Sequence, residues 1–523
     1  MAIETDVLVV GAGPAGLAAA IALKRGGFAG RVVVVDKGRS PGSHVLSGAV
    51  MDPSGFAELL GEDEVAKLPV EAHVGAESFR FMLGPSASVR IPWVPPMMQA
   101  KGFPVGSLTK VVQHLAKIAL SLGAEVYCGY AISELIVEGG RVVGAKTGAK
   151  GLSASGPLGN YLPPEEIRAK TTVLAEGGAG ILTDRLIADM GLAGRRPQSY
   201  ALGIKELVEL PKPVEGSAGT IMHTFGYPVD IGTYGGGFVY HTSDSQVMVG
   251  YALGLDYRDP SIDAHELFRR FKATKAVQRH IAGGRTVAYG AKVIPEGGFY
   301  AMPRPYAPGA LIVGDGAGLL DGLRIKGIHI AIQSGIAAAK AIASGDADVG
   351  AKYLELLKRT KGYREVRRVR NVHGGFTYGA PFGVAMAGFA WATFGAFPFW
   401  MFGRRHTDAQ ATRELRKAVK AKAPALPGPD RLTDVFLSGT IHAESQPCHI
   451  RLRDTAKCGE CERRFGSPCT RFCPAEVYRI DDGALRIDFS NCLHCKTCRI
   501  KCPMENVEWT FPQGGDGPRY TRM

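Results

Sequence analysis

The sequence predicts a mixed α/β chain: a Rossmann-like domain of the two-dinucleotide-fold type, joined to a small C-terminal domain organised by cysteines. Three observations carry this reading. A strand, a glycine-rich turn and a helix follow one another over residues 5–25. Two later apolar strands run into glycine-rich loops at 173–180 and 311–318. Eight of the ten cysteines fall between Cys458 and Cys502. At 523 residues the chain exceeds one compact core, so two or three closely packed domains are expected.

The opening element is TDVLVV (5–10), an apolar strand, followed by Gly11-Ala12-Gly13-Pro14-Ala15-Gly16 and an Ala/Leu-rich helix from Pro14 to about Arg25. A second strand, Arg31–Val35, ends at Asp36, 20 residues after Gly16. Gly11 permits the tight turn, Gly13 lets backbone reach a pyrophosphate, and Gly16 lets helix pack on strand. The helix N-terminus offers free N–H groups to phosphate, and Asp36 accepts from a ribose hydroxyl. Two later segments favour FAD over NAD. Glu176 and Gly177 lie in AEGGAG (175–180), and Gly314 and Asp315 in LIVGDGAG (311–318), each after a strand. In two-dinucleotide-fold flavoproteins such a late Gly-Asp lies near the ribityl chain and pyrophosphate, and the next helix points at the flavin ring; Gly327 is a further candidate contact. Both segments also read as ordinary strand exits.

Ser107 is expected to cap a helix carrying Leu108, Val111, Val112 and Leu115 on one face. Strands joined by a Glu138–Arg141 hairpin follow, and residues 150–168, polar and rich in Gly and Pro, read as a surface excursion.

The cysteines form two blocks. One is Cys492-x2-Cys495-x2-Cys498-x3-Cys502-Pro503, and the other Cys458-x2-Cys461-x7-Cys469-x3-Cys473-Pro474. In two-cluster ferredoxins each block gives three thiolates to its own cubane and its fourth to the other. That rule assigns one [4Fe–4S] cluster to Cys473, Cys492, Cys495 and Cys498, and a second to Cys458, Cys461, Cys469 and Cys502. Structural zinc is the competing reading, more open for the block with the x7 gap. No basic n-region or cleavage site precedes the first strand, so reduced, metal-binding thiols are expected rather than disulfides. Cys128 and Cys448 fall outside both blocks.

The net charge of +13 is unevenly placed. Residues 352–370 hold eight Lys/Arg against two Glu, and residues 404–422 hold seven against two acidic residues. These blocks bracket an uncharged stretch, 374–403, that contains Pro381, Pro398 and many aromatic residues. The prolines and glycines argue against a spanning helix. An interfacial segment flanked by bases attracted to anionic lipid is expected, with a buried core helix as the alternative. No nucleic-acid-binding motif accompanies the basic blocks.

The chain resembles the electron-transfer flavoprotein–ubiquinone oxidoreductase family nearly from end to end. GAGPAGL (11–17), SHVLSGAVMDP (43–53), TYGGGFVYH (233–241), AYGAKVIPEGGF (288–299), IKGIHIAIQSG (325–335), RFCPAEVY (471–478) and NCLHCKTC (491–498) carry the resemblance. It implies FAD, a [4Fe–4S] cluster on Cys473, Cys492, Cys495 and Cys498, and quinone as acceptor. The donor it implies is the reduced heterodimeric electron-transfer flavoprotein. It also implies that backbone around Gly235 and Gly236 partners a quinone carbonyl, and that 374–403 dips into a membrane. The thiols at 458, 461, 469 and 502 depart from single-cluster members, so the C-terminus looks like a two-cluster ferredoxin module.

The expected organisation is an FAD domain over 1–430, with a quinone and membrane-surface subdomain from about 75–130, 200–300 and 374–403, and a ferredoxin-like domain over 431–523. The expected location is the cytoplasmic face of a prokaryotic inner membrane, bound monotopically. No catalytic side chain is assigned, because electron relay needs no nucleophile or general base. Rival readings are a quinone-reducing subunit of an electron-bifurcating complex, a soluble FAD hydroxylase or polyprenyl reductase, and a docking protein with a vestigial flavin site.

Overall fold

Four consecutive valines, Val32 to Val35, can all be buried only in a strand covered on both faces, and that requirement shapes the N-terminal layer. The computed structural model describes residues 3–370, 372–396, 405–415, 426 and 428–523. Strands Ala310–Ile312, Glu166–Leu174, Ile3–Val10, Val32–Asp36 and Glu125–Cys128 lie side by side, all parallel, inside an eight-stranded sheet. The hairpin Ile132–Glu138 and Arg141–Thr147 pairs antiparallel to its Glu166 end.

Helices Pro14–Arg25, Leu108–Ser121 and Ile328–Ala343 cover this sheet. The first and last cross closely because residue 335 has no side chain: a Cβ on Gly335 would stand 2.3 Å from the Ala15 carbonyl oxygen. Ser107 caps its helix as expected, accepting from the Lys110 N–H, and its hydroxyl donates to the Met523 carbonyl at 3.1 Å. That bond ties the end of the described chain back to the first layer.

The second layer is a seven-stranded sheet in the order Arg285–Pro295, Tyr200–Glu209, Gln246–Gly254, Gly235–Ser243, Thr220–Gly226, Ala76–Met82, Ser88–Ile91. Phe268 and Phe271 of the helix Ala264–Lys272 are fully buried against it. The cysteine-rich module shares that core. Val435, Ile450, Phe472, Cys473 and Trp509 pack in one cluster with Phe268 and Tyr289, and the Tyr289 hydroxyl donates to the Pro474 carbonyl at 2.9 Å.

Three expectations need adjusting. Within 75–130 only Ala76–Met82 and Ser88–Ile91 join the second sheet, whereas Leu108–Ser121 and Glu125–Cys128 build the first. The apolar face of Leu108–Ser121 packs on Pro14–Arg25, which the insert boundary did not foresee. Residues 150–168 are exposed, but they form an ordered hairpin, Lys150–Ser153 with Gly156–Leu162, running into the strand Glu166–Leu174. Third, the uncharged stretch is helical where it is described, over Val372–Phe376 and Ala380–Ala392. Residues 397–404 and 416–422, with five of the seven basic residues of the block 404–422, lie outside the described residues.

Candidate functional site

Between the two sheets lies one cavity of about 830 Å³. Its inner end is the glycine turn. Gly11 has φ +113°, and a Cβ there would meet the Ala175 carbonyl oxygen at 2.3 Å. Gly16 abuts the Gly11 carbonyl in the same way, so it serves packing and does not line the cavity. Gly13 differs: nothing lies within 4 Å of its virtual Cβ, and it faces open cavity just before the helix Pro14–Arg25. That gap, beside helix N–H groups lacking intrahelical partners, is the space a pyrophosphate needs.

The contrast gives a prediction. Gly13→Ala should leave the apoprotein's Tm unchanged while FAD content falls sharply. Gly11→Ala should destabilise the fold itself, by roughly 1–3 kcal/mol from backbone strain alone. Thermal melts and flavin absorbance of the two variants check this.

Asp36 lines the cavity and fixes the turn. Its Oδ2 accepts from the Ala12 N–H at 2.7 Å and its Oδ1 from the Gly38 N–H at 2.6 Å. Each oxygen keeps a second lone pair for a ribose hydroxyl. Gly177, Gly314, Asp315 and Gly327 line the same cavity. Gly177 and Gly314 have positive φ, and a Cβ on Gly327 would come within 3.8 Å of Asp315 Oδ1. Burial raises the Asp315 carboxyl to about 6 although Lys292 opposes it.

Glu176 lines the same cavity, with its carboxylate turned to the next helix. Its carboxylate accepts from the N–H groups of Ile181, Leu182 and Thr183 and from the Thr183 hydroxyl, capping the helix Ile181–Asp189. With those donors taken, the carboxylate serves the helix and leaves the backbone of Glu176 to the cavity wall.

On the opposite wall, Gly235 and Gly236 open the strand Gly235–Ser243 and pair with Leu253 and Ala252. Gly236 has no room for a side chain, because a Cβ would stand 2.6 Å from the Thr224 carbonyl oxygen. Polar side chains that no local motif announced gather here. His223 Nε2 lies 2.5 Å from the Tyr240 hydroxyl, and burial together with Lys326 lowers the imidazole to about 3, so the ring is neutral. Glu296 is raised to about 8 by burial and by Asp321, Asp256 and Asp315, and holds its proton at neutral pH.

The cysteines sort into two sets. Cys473, Cys492, Cys495 and Cys498 are buried, and burial raises each thiol. Cys492 is raised further by Cys495, Cys498 and Cys473. Cys458, Cys461, Cys469 and Cys502 line a separate small cavity with Phe472 and Tyr478. There burial and then Cys502 and Cys458 raise Cys461 to about 12. Buried thiols held this high become thiolates only with a compensating cation, so both sets fit a metal centre. Cys128 and Cys448 lie outside both.

Among the described residues, the one group of three or more His, Cys, Asp or Glu ligand atoms within 4.8 Å of each other is His442, His449 and His494. The histidines meet Lys37, whose Nζ is 3.4 Å from His494 Nδ1 and whose amine is held well below the usual lysine range by burial and by Lys496.

The loop Cys492–Cys498 sits directly against the glycine cradle. Lys496, in a left-handed conformation, donates to the Ala179 carbonyl at 2.7 Å, and Arg499 pairs with Asp184 at 2.7 Å. Lys496 and Trp509 line the large cavity. Thr440 donates to the Cys492 carbonyl at 2.9 Å and Arg431 to the Cys473 carbonyl at 3.3 Å, bracing the same set from outside.

The cavity's other end is apolar. Val384, Ala387 and Gly388 of the helix Ala380–Ala392 line it together with Leu83 and Ile231. Around them Phe394 is 73% exposed, Trp93 67%, Ile231 66% and Tyr378 60%, with Phe382, Phe389 and Trp391 also exposed. An apolar surface of this kind marks an interaction site. No helix among the described residues is long and apolar enough to cross a membrane.

Comparison with known proteins gives three family matches. Residues 428–521 match the model described as electron transfer flavoprotein-ubiquinone oxidoreductase, 4Fe-4S. Residues 200–294 match ETF-QO, ubiquinone-binding, and residues 6–73 an FAD binding domain. Among full-length relatives, the electron transfer flavoprotein-ubiquinone oxidoreductase of Pseudomonas aeruginosa is 37% identical over 556 residues, covering 99% of each chain. The mitochondrial protein of that name from Arabidopsis thaliana is 37% identical, covering 100% of this chain and 85% of the relative. The human one is 35% identical, covering 99% and 89%. Among solved structures, a geranylgeranyl bacteriochlorophyll reductase-like protein from Thermoplasma acidophilum superposes with a TM-score of 0.57 at 20% identity, covering 76% of this chain and 93% of that one. The flavin-dependent brominase Bmp2 gives 0.51 at 17% identity, covering 75% and 94%. These two share the fold.

Proposed function

Because the chain belongs to the electron transfer flavoprotein–ubiquinone oxidoreductase family, we propose that it passes electrons from a reduced electron-transfer flavoprotein heterodimer to membrane quinone. The observation that carries this is the single cavity that joins the glycine cradle, the cysteine loop and the apolar mouth. FAD and [4Fe–4S] clusters, when bound, supply the one- and two-electron chemistry that no side chain here provides.

The chain's residues bind, orient and insulate. Gly13, Asp36, Gly177, Gly314, Asp315 and Gly327 hold FAD, with Gly11 and Gly16 shaping the turn. Cys473, Cys492, Cys495 and Cys498 hold the cluster nearest the cradle, and Cys458, Cys461, Cys469 and Cys502 hold a second. Backbone at Gly235 and Gly236 receives the quinone head. The apolar mouth, flanked by the basic helices over 349–368, lies on a membrane without crossing it, so a lipid-soluble quinone enters from the bilayer. On this reading the chain sits on the cytoplasmic face of a prokaryotic inner membrane; the full-length match to a bacterial relative bears on the prokaryotic setting alone. In domain terms, 1–430 is the FAD domain with its quinone subdomain, and 431–523 the iron–sulfur domain.

Metal and flavin analysis tests the assignment. About eight irons, eight sulfides and one FAD per chain are expected, with no zinc. Four irons with one zinc would remove the second cluster while leaving the family's own. The second cysteine set also favours a second reading, a quinone-reducing part of an electron-bifurcating complex. Ferredoxin reduction linked to quinone reduction in the assembled complex would establish that reading instead.

A further inference from the structure

One titratable side chain in the cavity wall is linked by polar contacts to the protein surface. His329, second residue of the helix Ile328–Ala343, is fully buried and lines the cavity. Its Nε2 lies 2.9 Å from Glu365 Oε2. Burial pushes the Glu365 carboxyl up, but His329, Arg324 and Lys361 outweigh it and hold the group below the usual carboxylate range. An ionised carboxylate only accepts, so Nε2 carries the hydrogen. The other ring nitrogen, Nδ1, is buried and has no partner among the described residues. Buried polar atoms are seldom left unpaired, which leaves Nδ1 open to a group or a water bound in the cavity that His329 lines.

The surroundings are strongly charged. From the helix Lys361–Arg368, Glu365 faces the ring and Lys361 lies 3.8 Å from Glu365 Oε1, with a half-exposed side chain. Arg324 donates 2.8 Å bonds to both Glu365 and Asp52, and Asp321 and Lys326 flank it in the loop before the histidine's own helix. Glu58, on the helix Ser54–Leu60, is held by Gln333.

We propose that His329, held in place by Glu365, is a proton donor to the two-electron carrier reduced in this cavity. The proposal rests on the quinone-reducing reading above. Quinone, two electrons from the reduced donor flavoprotein and two protons give quinol. As the electrons arrive, the Nδ1–H bond of the imidazolium breaks and an O–H or N–H bond forms on the carrier. The neutral ring keeps its Nε2–H on Glu365. The second proton comes from solvent, and His329 is reprotonated from solvent after product leaves. The acceptor can be the quinone itself or the flavin, which also gains protons on reduction.

His329→Gln separates this role from a structural one, because a glutamine amide reproduces the Nε2–H contact to Glu365 but offers nothing at Nδ1. Two readouts use the full chain with FAD and iron at wild-type content. The first is the FAD midpoint potential against pH, from about 5.5 to 8.5 and without quinone. The second is single-turnover oxidation of the pre-reduced protein by quinone over the same range. If quinone is the acceptor, the potentials of His329→Gln and wild type coincide. The single-turnover rate then falls on the order of 100-fold and loses its decline with rising pH. If flavin is the acceptor, the slope of potential against pH changes in the variant. Agreement of both readouts within about twofold of wild type would overturn the proposal, since a positioned acid contributes far more. Should His329→Gln fail to retain FAD, Glu365→Gln keeps the ring and removes its carboxylate. Its single-turnover profile should decline at lower pH than wild type, and a superimposable profile would overturn the proposal equally. If reduced donor flavoprotein failed to reduce even the wild-type chain, the functional reading would fall before this one was reached.

Discussion

Replacing Cys495 with Ala should abolish quinone reduction by the donor flavoprotein, by more than about 100-fold, while FAD stays bound. Changes merely behind a metal ligand cost about 10–100-fold, so loss of the ligand itself costs more. Cys495 is buried in the loop that Lys496 anchors to the Ala179 carbonyl, between the cysteine module and the glycine cradle. No other thiol can replace it, because the second set lines its own cavity. Gly11, Gly13 and Asp36 lie in the first sheet's layer, so flavin absorbance should be near wild type. EPR of the dithionite-reduced variant should lack one cluster signal and keep the other. Full donor-to-quinone activity in protein shown to lack that cluster would end the relay account.

The double substitution Phe389→Asp and Trp391→Asp should release the protein from anionic liposomes. The two side chains are 41% and 45% exposed and stand on opposite flanks of the face of Ala380–Ala392 that packs Ala387 and Ala390 against Val372. Each ring is less than half exposed, so the part that lipid can still bury is worth about 1 kcal/mol apiece, and losing both costs roughly 1–3 kcal/mol, one to two orders of magnitude in partitioning. The carboxylates add a further penalty at the interface. Because the rings are already exposed, the fold should tolerate the change and Tm should move little. Reduction of long-tailed quinone should fall with membrane binding, and reduction of a short-tailed soluble analogue should survive. Unchanged flotation with liposomes would make this helix a core element and close the proposed entry route.

What was legible in the sequence was local in it. Gly11, Gly13 and Asp36 follow a strand at fixed spacing, and the structure brings them to one turn. The exchange of fourth ligands between cysteine blocks follows from the Cys-Pro endings, and Cys473 and Cys502 do lie with the opposite blocks. At Glu176 the sequence did not show which way the carboxylate turns, because a strand exit carrying an acid looks the same whether that group faces a ligand or caps the next helix. Residues 108–130 were misplaced because an amphipathic pattern shows that a face is buried, without naming the layer that buries it. Arg324 and His329 share one segment, but Glu365 and Asp52 lie far from it in the sequence, and only folding brings the four together. Glu296 has an ordinary sequence setting, and its raised carboxyl depends on burial near three other acids.

The central claim is that electrons pass from the reduced flavoprotein through this chain to quinone. Its most direct test is to mix stoichiometric reduced electron-transfer flavoprotein anaerobically with the liposome-bound chain and a long-tailed quinone, following cluster, flavin and quinol in the same sample. The account predicts that cluster and flavin reduction precede quinol, and that one quinol forms for every two electrons donated. A chain that stays oxidised in the presence of reduced flavoprotein, or quinol formed at the same rate without the chain, would contradict it.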